Sequence, residues 1–208
     1  MKIFVTGTDT DVGKTLLSCL LTRALNAAYW KPVQAGIEGG TDSETLSGWI
    51  DPDRVLPERF RLTQPMSPNQ AAERDGVAVC LDEFQMPVVD APLVVEGAGG
   101  LMVPLNEREL VIDLIAHLDL PVVLAARSGL GTLNHTLLSL EALRARELVC
   151  LGIVLFGPRH PENERDLVHW GKVPVLGRID VDRRLVPEDT EPLLAKLDLG
   201  PLRAFWQP

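Results

Sequence analysis

The chain opens Lys2-Ile3-Phe4-Val5-Thr6-Gly7-Thr8-Asp9-Thr10-Asp11-Val12-Gly13-Lys14-Thr15. Ile3 to Val5 is a short apolar run of the kind a buried strand makes. A turn rich in Gly, Thr and Asp follows. After Gly13-Lys14-Thr15, the residues Leu17, Leu20, Leu21 and Ala24 recur at helical spacing. Strand, glycine loop, Gly-Lys-Thr and helix in that order predict a phosphate-binding loop. Backbone N–H groups of such a loop and of the first helical turn hold phosphate oxygens, helped by the helix dipole. Gly13 lets the backbone approach closely. Lys14 places a point charge on the outer phosphates, and Thr15 offers its hydroxyl to a magnesium ion. Five residues separate Gly7 from Gly13, where the common pattern has four. Read with four, the first position is Thr8.

Working outward, 208 residues suit one α/β domain spanning 1–208, with room for a sizeable core. Apolar residues make up 46% of the chain, so it should fold rather than stay disordered. A net charge of -9 argues against nucleic acid as a partner, because phosphate backbones need a basic face; a nucleotide needs only a local pocket. Cys19, Cys80 and Cys150 are isolated and read as reduced, buried thiols. The opening residues already read as a strand, so no signal peptide is expected, and no apolar run is long enough for a membrane span. A cytoplasmic protein with no membrane partner is the expectation.

Ala28-Tyr29-Trp30 leads into Lys31-Pro32-Val33-Gln34-Ala35-Gly36, read as a second strand over 28–33 ending at a loop. In open α/β sheets ligands gather outside the carboxyl ends of strands, which sets Lys31 near the phosphate loop; the competing reading is a solvated surface charge. Gly39-Gly40-Thr41-Asp42-Ser43-Glu44 is a turn and helix start, capped by Thr41 or Asp42. Asp42 is either a cap or a ligand for a hard cation. Residues 51–70 carry four prolines and read as loop, with a short helix from Pro68 that ends before Gly76. Pro92-Leu93-Val94-Val95-Glu96-Gly97-Ala98-Gly99-Gly100 is a buried strand closed by an acid. Burying that acid is expensive unless it is paired or on a metal, so Glu96 is a magnesium candidate or the partner of a nearby lysine. A helix face over Leu110–Leu118, a strand over 121–126, a helix opening near Ser128–His135, and strands over 149–156 and 173–179 complete the pattern. Alternating strands and helices predict a doubly wound, mostly parallel sheet with helices on both faces, like that of P-loop NTPases. The four histidines show no metal spacing, and no nucleophile triad is recognisable.

With those residues in place, the sequence resembles the dethiobiotin synthetase family. The resemblance rests on Gly7 to Thr15, Lys31-Pro32-Val33, Asp42 and Val95-Glu96-Gly97-Ala98-Gly99-Gly100, with Gly131-Thr132-Leu133-Asn134-His135 as a weaker element. The five-residue loop spacing is that family's own form. The resemblance implies an ATP-dependent, magnesium-requiring homodimer that closes a cyclic urea from 7,8-diaminopelargonic acid and carbon dioxide. It implies that Lys14 and Lys31 are catalytic, and that Thr15, Asp42 and Glu96 hold the metal. Asp11, Val12, Gly13, Lys14 and Thr15 would wrap the phosphates, with Asp42, Glu96, Gly97, Ala98 and Gly99 also meeting the nucleotide. Lys31, Ala35, Thr10 and Asn134 would meet the substrate, Asn134 from the partner subunit. Two positions depart from the family: Ala35 stands where many relatives carry Ser or Thr, and Phe156 where many carry an Asn that reads adenine. Weak discrimination between nucleotides is therefore expected, as is loss of ring closure without loss of fold on Lys31→Ala. Two alternatives are a cobyrinate-type amide ligase, for which no amidotransferase half is present, and a partitioning-type ATPase, which needs a signature lysine where Thr8 or Asp9 stands.

Overall fold

A computed structural model describes residues 1–180 and 187–206. In chain order it runs β1 (Lys2–Gly7), α1 (Lys14–Ala24), β2 (Ala28–Trp30), β3 (Val33–Ala35), α2 (Asp42–Ser47), β4 (Val55–Leu56), β5 (Phe60–Leu62) and α3 (Pro68–Asp75). It continues with β6 (Leu93–Gly100), α4 (Val111–His117), β7 (Val122–Arg127), α5 (Thr132–Arg144), β8 (Cys150–Phe156), α6 (Pro161–Gly171), β9 (Val175–Ile179), α7 (Thr190–Leu194) and α8 (Gly200–Phe205). Seven strands form one sheet in the order β4-β2-β6-β1-β7-β8-β9, and every pairing in it is parallel.

The side-chain period of two divides the core between the two faces. Ile3 and Val5 of β1, Val94 of β6 and Val123 of β7 pack with Leu17, Leu20 and Leu21 of α1 and with Leu193 and Leu202 of α7 and α8. Their neighbours Phe4, Leu93, Val95, Val122 and Leu124 face the other way, onto Ile112 and Ile115 of α4, Leu140 of α5 and Leu167 of α6. Helices therefore cover both faces, as the alternation predicts.

Local departures have physical causes. The strand expected over 28–33 breaks after Trp30: Pro32 has no N–H to give a ladder, and the chain resumes as β3, which pairs in parallel with β5 in a separate two-stranded sheet. The segment 51–70, expected as loop, contributes the two- and three-residue strands β4 and β5, too short to give a periodic signal. α6 has no counterpart in the hydrophobic pattern because only Leu167 and Gly171 are buried along it. Cys80 is exposed and Cys150 half-buried, against the expectation of buried thiols, while Cys19 is buried. No helix among the described residues is long and apolar enough to cross a membrane.

Candidate active site

Sheet order assembles the site. β6 lies between β2 and β1, so the ends of three strands far apart in sequence stand side by side. Register finishes the alignment: Trp30 pairs with Val95, and Val5 with Glu96. Lys31, one residue past Trp30, thus falls beside Glu96, and Glu96 falls beside the strand that feeds the phosphate loop.

That loop leaves β1 at Gly7 and enters α1 at Lys14. Gly13 caps the helix in the left-handed region, φ 96°, and Asp11 is also left-handed, φ 54°. A Cβ on Gly13 would meet the Phe156 ring at 2.5 Å, so both backbone angle and space require glycine. Lys14 Nζ curls back to donate to the Asp9 carbonyl at 2.8 Å. Val12 turns into the core beside α1, leaving only its backbone for a ligand.

α2 presents Asp42. Thr41 is the cap: its hydroxyl accepts from Glu44 N–H at 3.1 Å, and the Glu44 carboxylate accepts from Thr41 N–H at 2.9 Å. Gln34 on β3 adds a brace, its Oε1 accepting from Asp42 N–H at 3.2 Å. Thr15 Oγ1 then lies 2.7 Å from Asp42 Oδ1 and 3.1 Å from Glu96 Oε1. Lys31 Nζ bridges the same two carboxylates, 2.5 Å from Asp42 Oδ2 and 3.0 Å from Glu96 Oε1. Lys31 is thus buried rather than a solvated surface charge, and Glu96 lies in contact with it, inside β6 rather than at its end.

The electrostatics follow from this packing. Burial alone would lower the Lys31 pKa, but Glu96 and then Asp42 outweigh it and hold it above the ordinary 10.5. Burial lowers Lys14, against the pull of Glu96 and with help from the like charge of Lys31. For Asp42, burial would raise the pKa; the Lys31 charge and hydrogen bonds from Lys31 and Thr15 bring it below 3.8.

These groups line a cleft of about 780 Å³ that holds Thr10, Asp11, Gly13, Lys14, Thr15, Lys31, Ala35, Asp42, Glu96, Ala98 and Gly99. Its volume is that of a small-molecule site. Gly97 is outside the lining; a Cβ on it would meet the Phe4 ring at 2.8 Å. Asn134 is exposed on the first turn of α5, also outside it. Sequence reasoning missed Gln34, the wall formed by Pro65, Met66, Ser67 and Pro68, and Tyr29, whose hydroxyl donates to Glu96 Oε2 at 3.0 Å. Tyr29 carried one legible signal: two residues before Lys31 in an extended segment, it shares that lysine's side.

A phosphate loop with two buried lysines and two carboxylates within contact is a site for polyanions. A family model described as an AAA domain matches residues 1–189. The chain is 53% identical over 197 residues to ATP-dependent dethiobiotin synthetase BioD of Rhodopseudomonas palustris (strain BisB18), covering 93% of this chain and 92% of that one. The chain belongs to the dethiobiotin synthetase family. BioD of Brucella ovis (strain ATCC 25840 / 63/290 / NCTC 10512) is 48% identical, over 90% of this chain and 89% of that one. Among solved structures, the MinC:MinD cell division complex of Aquifex aeolicus aligns over 100% of this chain and 96% of that one, with TM-score 0.56 at 15% identity. That likeness concerns the fold alone; identity to the synthetase family displaces the partitioning-ATPase and amide-ligase alternatives.

Proposed function

We propose that this chain carries out ATP-dependent carboxylation and ring closure of 7,8-diaminopelargonic acid with carbon dioxide, giving dethiobiotin for biotin synthesis. Family membership supports the reaction class, and one observation carries the mechanism: Lys14 at the start of α1 and Lys31 just past β2 reach the same cleft, Lys31 already seated against two carboxylates. In the first step a substrate amine attacks carbon dioxide and loses a proton, forming a carbamate. A carbamate oxygen then attacks the γ-phosphorus of ATP and ADP departs, leaving a carbamic–phosphoric anhydride. The second amine attacks the anhydride carbonyl, the C–O bond to phosphate breaks, and the urea ring closes.

The two anions repel each other, and preorganised positive charge is what brings them together. Lys14 serves the ATP side and Lys31 the carbamate side. The backbone from Asp11 to Thr15 wraps the phosphates; Ala98 and Gly99 border the nucleotide. Thr10 and Ala35 line the substrate end of the cleft. For Mg²⁺, the donor set fits: Thr15 Oγ1 lies within 3.1 Å of oxygens of both Asp42 and Glu96, and hard oxygen ligands suit this ion. Such an ion takes one or two carboxylates and completes its shell with phosphates and water. When bound, the ion neutralises charge on the transferring phosphoryl group.

A cytoplasmic homodimer is part of the proposal. Leu130 is fully exposed and Leu138 61% exposed, four residues either side of the exposed Asn134. Leu138 lies one turn on from Asn134 on the same side of α5, and Leu130 precedes the helix; this apolar flank lets Asn134 reach a partner's substrate. Mass spectrometry after incubation with the diamine, bicarbonate, Mg²⁺ and ATP tests the reaction. The expected product is the cyclic urea with one ADP and one phosphate per ring; hydrolysis of ATP without ring formation would refute the assignment.

A further inference from the structure

Tyr29 is the chain's only tyrosine. It is fully buried on β2, packed with Cys19 of α1 and Leu46 of α2. In those apolar surroundings a phenylalanine would pack as well, so the hydroxyl needs a reason. It donates to Glu96 Oε2 at 3.0 Å. The two oxygens of this fully buried carboxylate are therefore used differently: Oε1 accepts from Thr15 and Lys31, while Oε2 accepts from the phenol.

We propose that Tyr29 is a positioning residue for Glu96: by holding Oε2 from behind, it keeps Oε1 turned toward Thr15 and Asp42, and so sets the affinity of this oxygen set for a divalent cation. The proposal rests on the reading of Thr15, Asp42 and Glu96 as cation holders; Tyr29 itself lines no part of the cleft. Without the phenol, Oε2 is a buried acceptor lacking its donor, and the carboxylate is free to rotate about its last torsion to find another. Outer partners of this kind orient metal-binding carboxylates, and their loss costs on the order of 10–100-fold in metal affinity or activity.

The test is Tyr29→Phe, which deletes one oxygen. Free Mn²⁺ is followed by its paramagnetic resonance signal in the presence of a non-hydrolysable ATP analogue. The expected result is an Mn²⁺ affinity lowered about 10–100-fold, a Mg²⁺ half-saturation raised by the same factor, and turnover at saturating Mg²⁺ close to the parent's. Unchanged Mn²⁺ affinity overturns the proposal. So does a turnover that falls at every Mg²⁺ concentration, the signature of a merely structural role. Because Tyr29 is the only tyrosine, 3-fluorotyrosine labelling gives a single ¹⁹F resonance, which covers the case of a Phe variant that fails to fold. That resonance should move when Mg²⁺ is added to nucleotide-bound protein; a stationary signal also overturns the proposal. If the parent binds Mn²⁺ and nucleotide but closes no ring, the functional reading fails while the Tyr29 result still stands.

Discussion

Lys31 sits between two carboxylates, so removing it has two consequences that separate in experiment. Lys31→Ala deletes the charge on the carbamate side, and turnover should fall by on the order of 10²–10³ or more. It also leaves Asp42 and Glu96 facing each other unpaired, at a stability cost of about 3–5 kcal/mol. The variant should therefore keep its fold, as expected, but melt at a lower temperature than the parent. Millimolar Mg²⁺ should restore more melting temperature to Lys31→Ala than to the parent, since the cation replaces the missing charge; equal shifts would count against the shared oxygen set. A pH series adds a signed test. The folded pKa of Asp42 lies below its ordinary 3.8, so its contribution is complete above that value and is lost as pH falls through the folded pKa. Lys31 is the converse: its pKa lies above 10.5, so its contribution is complete below that value and is lost as pH rises through the folded pKa. Urea-unfolding midpoints of parent and Asp42→Asn should accordingly differ more at pH 6 than at pH 3.

At the scale of elements, the phosphate loop depends on a strand over a hundred residues away. The Phe156 ring at the end of β8 fills the space beside Gly13. Gly13→Ala should abolish nucleotide binding, because φ 96° is strained for any Cβ by about 1–2 kcal/mol and the ring blocks it as well. Adding Phe156→Ala should recover the part due to the clash and leave the part due to strain, measurable as nucleotide affinity by calorimetry. The same ring offers no donor or acceptor to a base, so turnover with ATP, CTP and GTP at matched concentration should differ little; a strong preference for ATP would refute this. How much of the site was legible follows from what each residue signals. Gly13-Lys14-Thr15 carries its role in spacing, and Glu96 announces itself as a charge in an apolar run. Lys31 had only its place at a strand end, which left a surface charge as the competing reading, and the resemblance gave it a role. Gln34 was silent and Tyr29 showed only which side of its strand it takes, since one braces the Asp42 backbone and the other the Glu96 carboxylate rather than a ligand. The parallel sheet was legible from alternation, whereas β4 and β5 were too short and α6 too exposed to register.

For the whole molecule, ligand binding should report on the assembled cleft. At a hundredfold excess over its dissociation constant, Mg²⁺-nucleotide should stabilise the chain by about 2.7 kcal/mol, raising the melting temperature by roughly 5–10 °C for this size; no shift would mean that the cleft does not close on nucleotide. The bonds that complete it span 65 residues from Lys31 to Glu96 and 81 from Thr15 to Glu96. β1, which carries the phosphate loop, finds both of its sheet neighbours downstream, in β6 and β7. During synthesis the ribosome therefore releases this apolar strand long before either neighbour exists. A nascent chain halted anywhere before Arg127 holds β1 with at least one open edge, in the window where chaperones and unwanted pairing compete for it. Cofactor supply would thus depend on safe passage through translation as well as on catalysis.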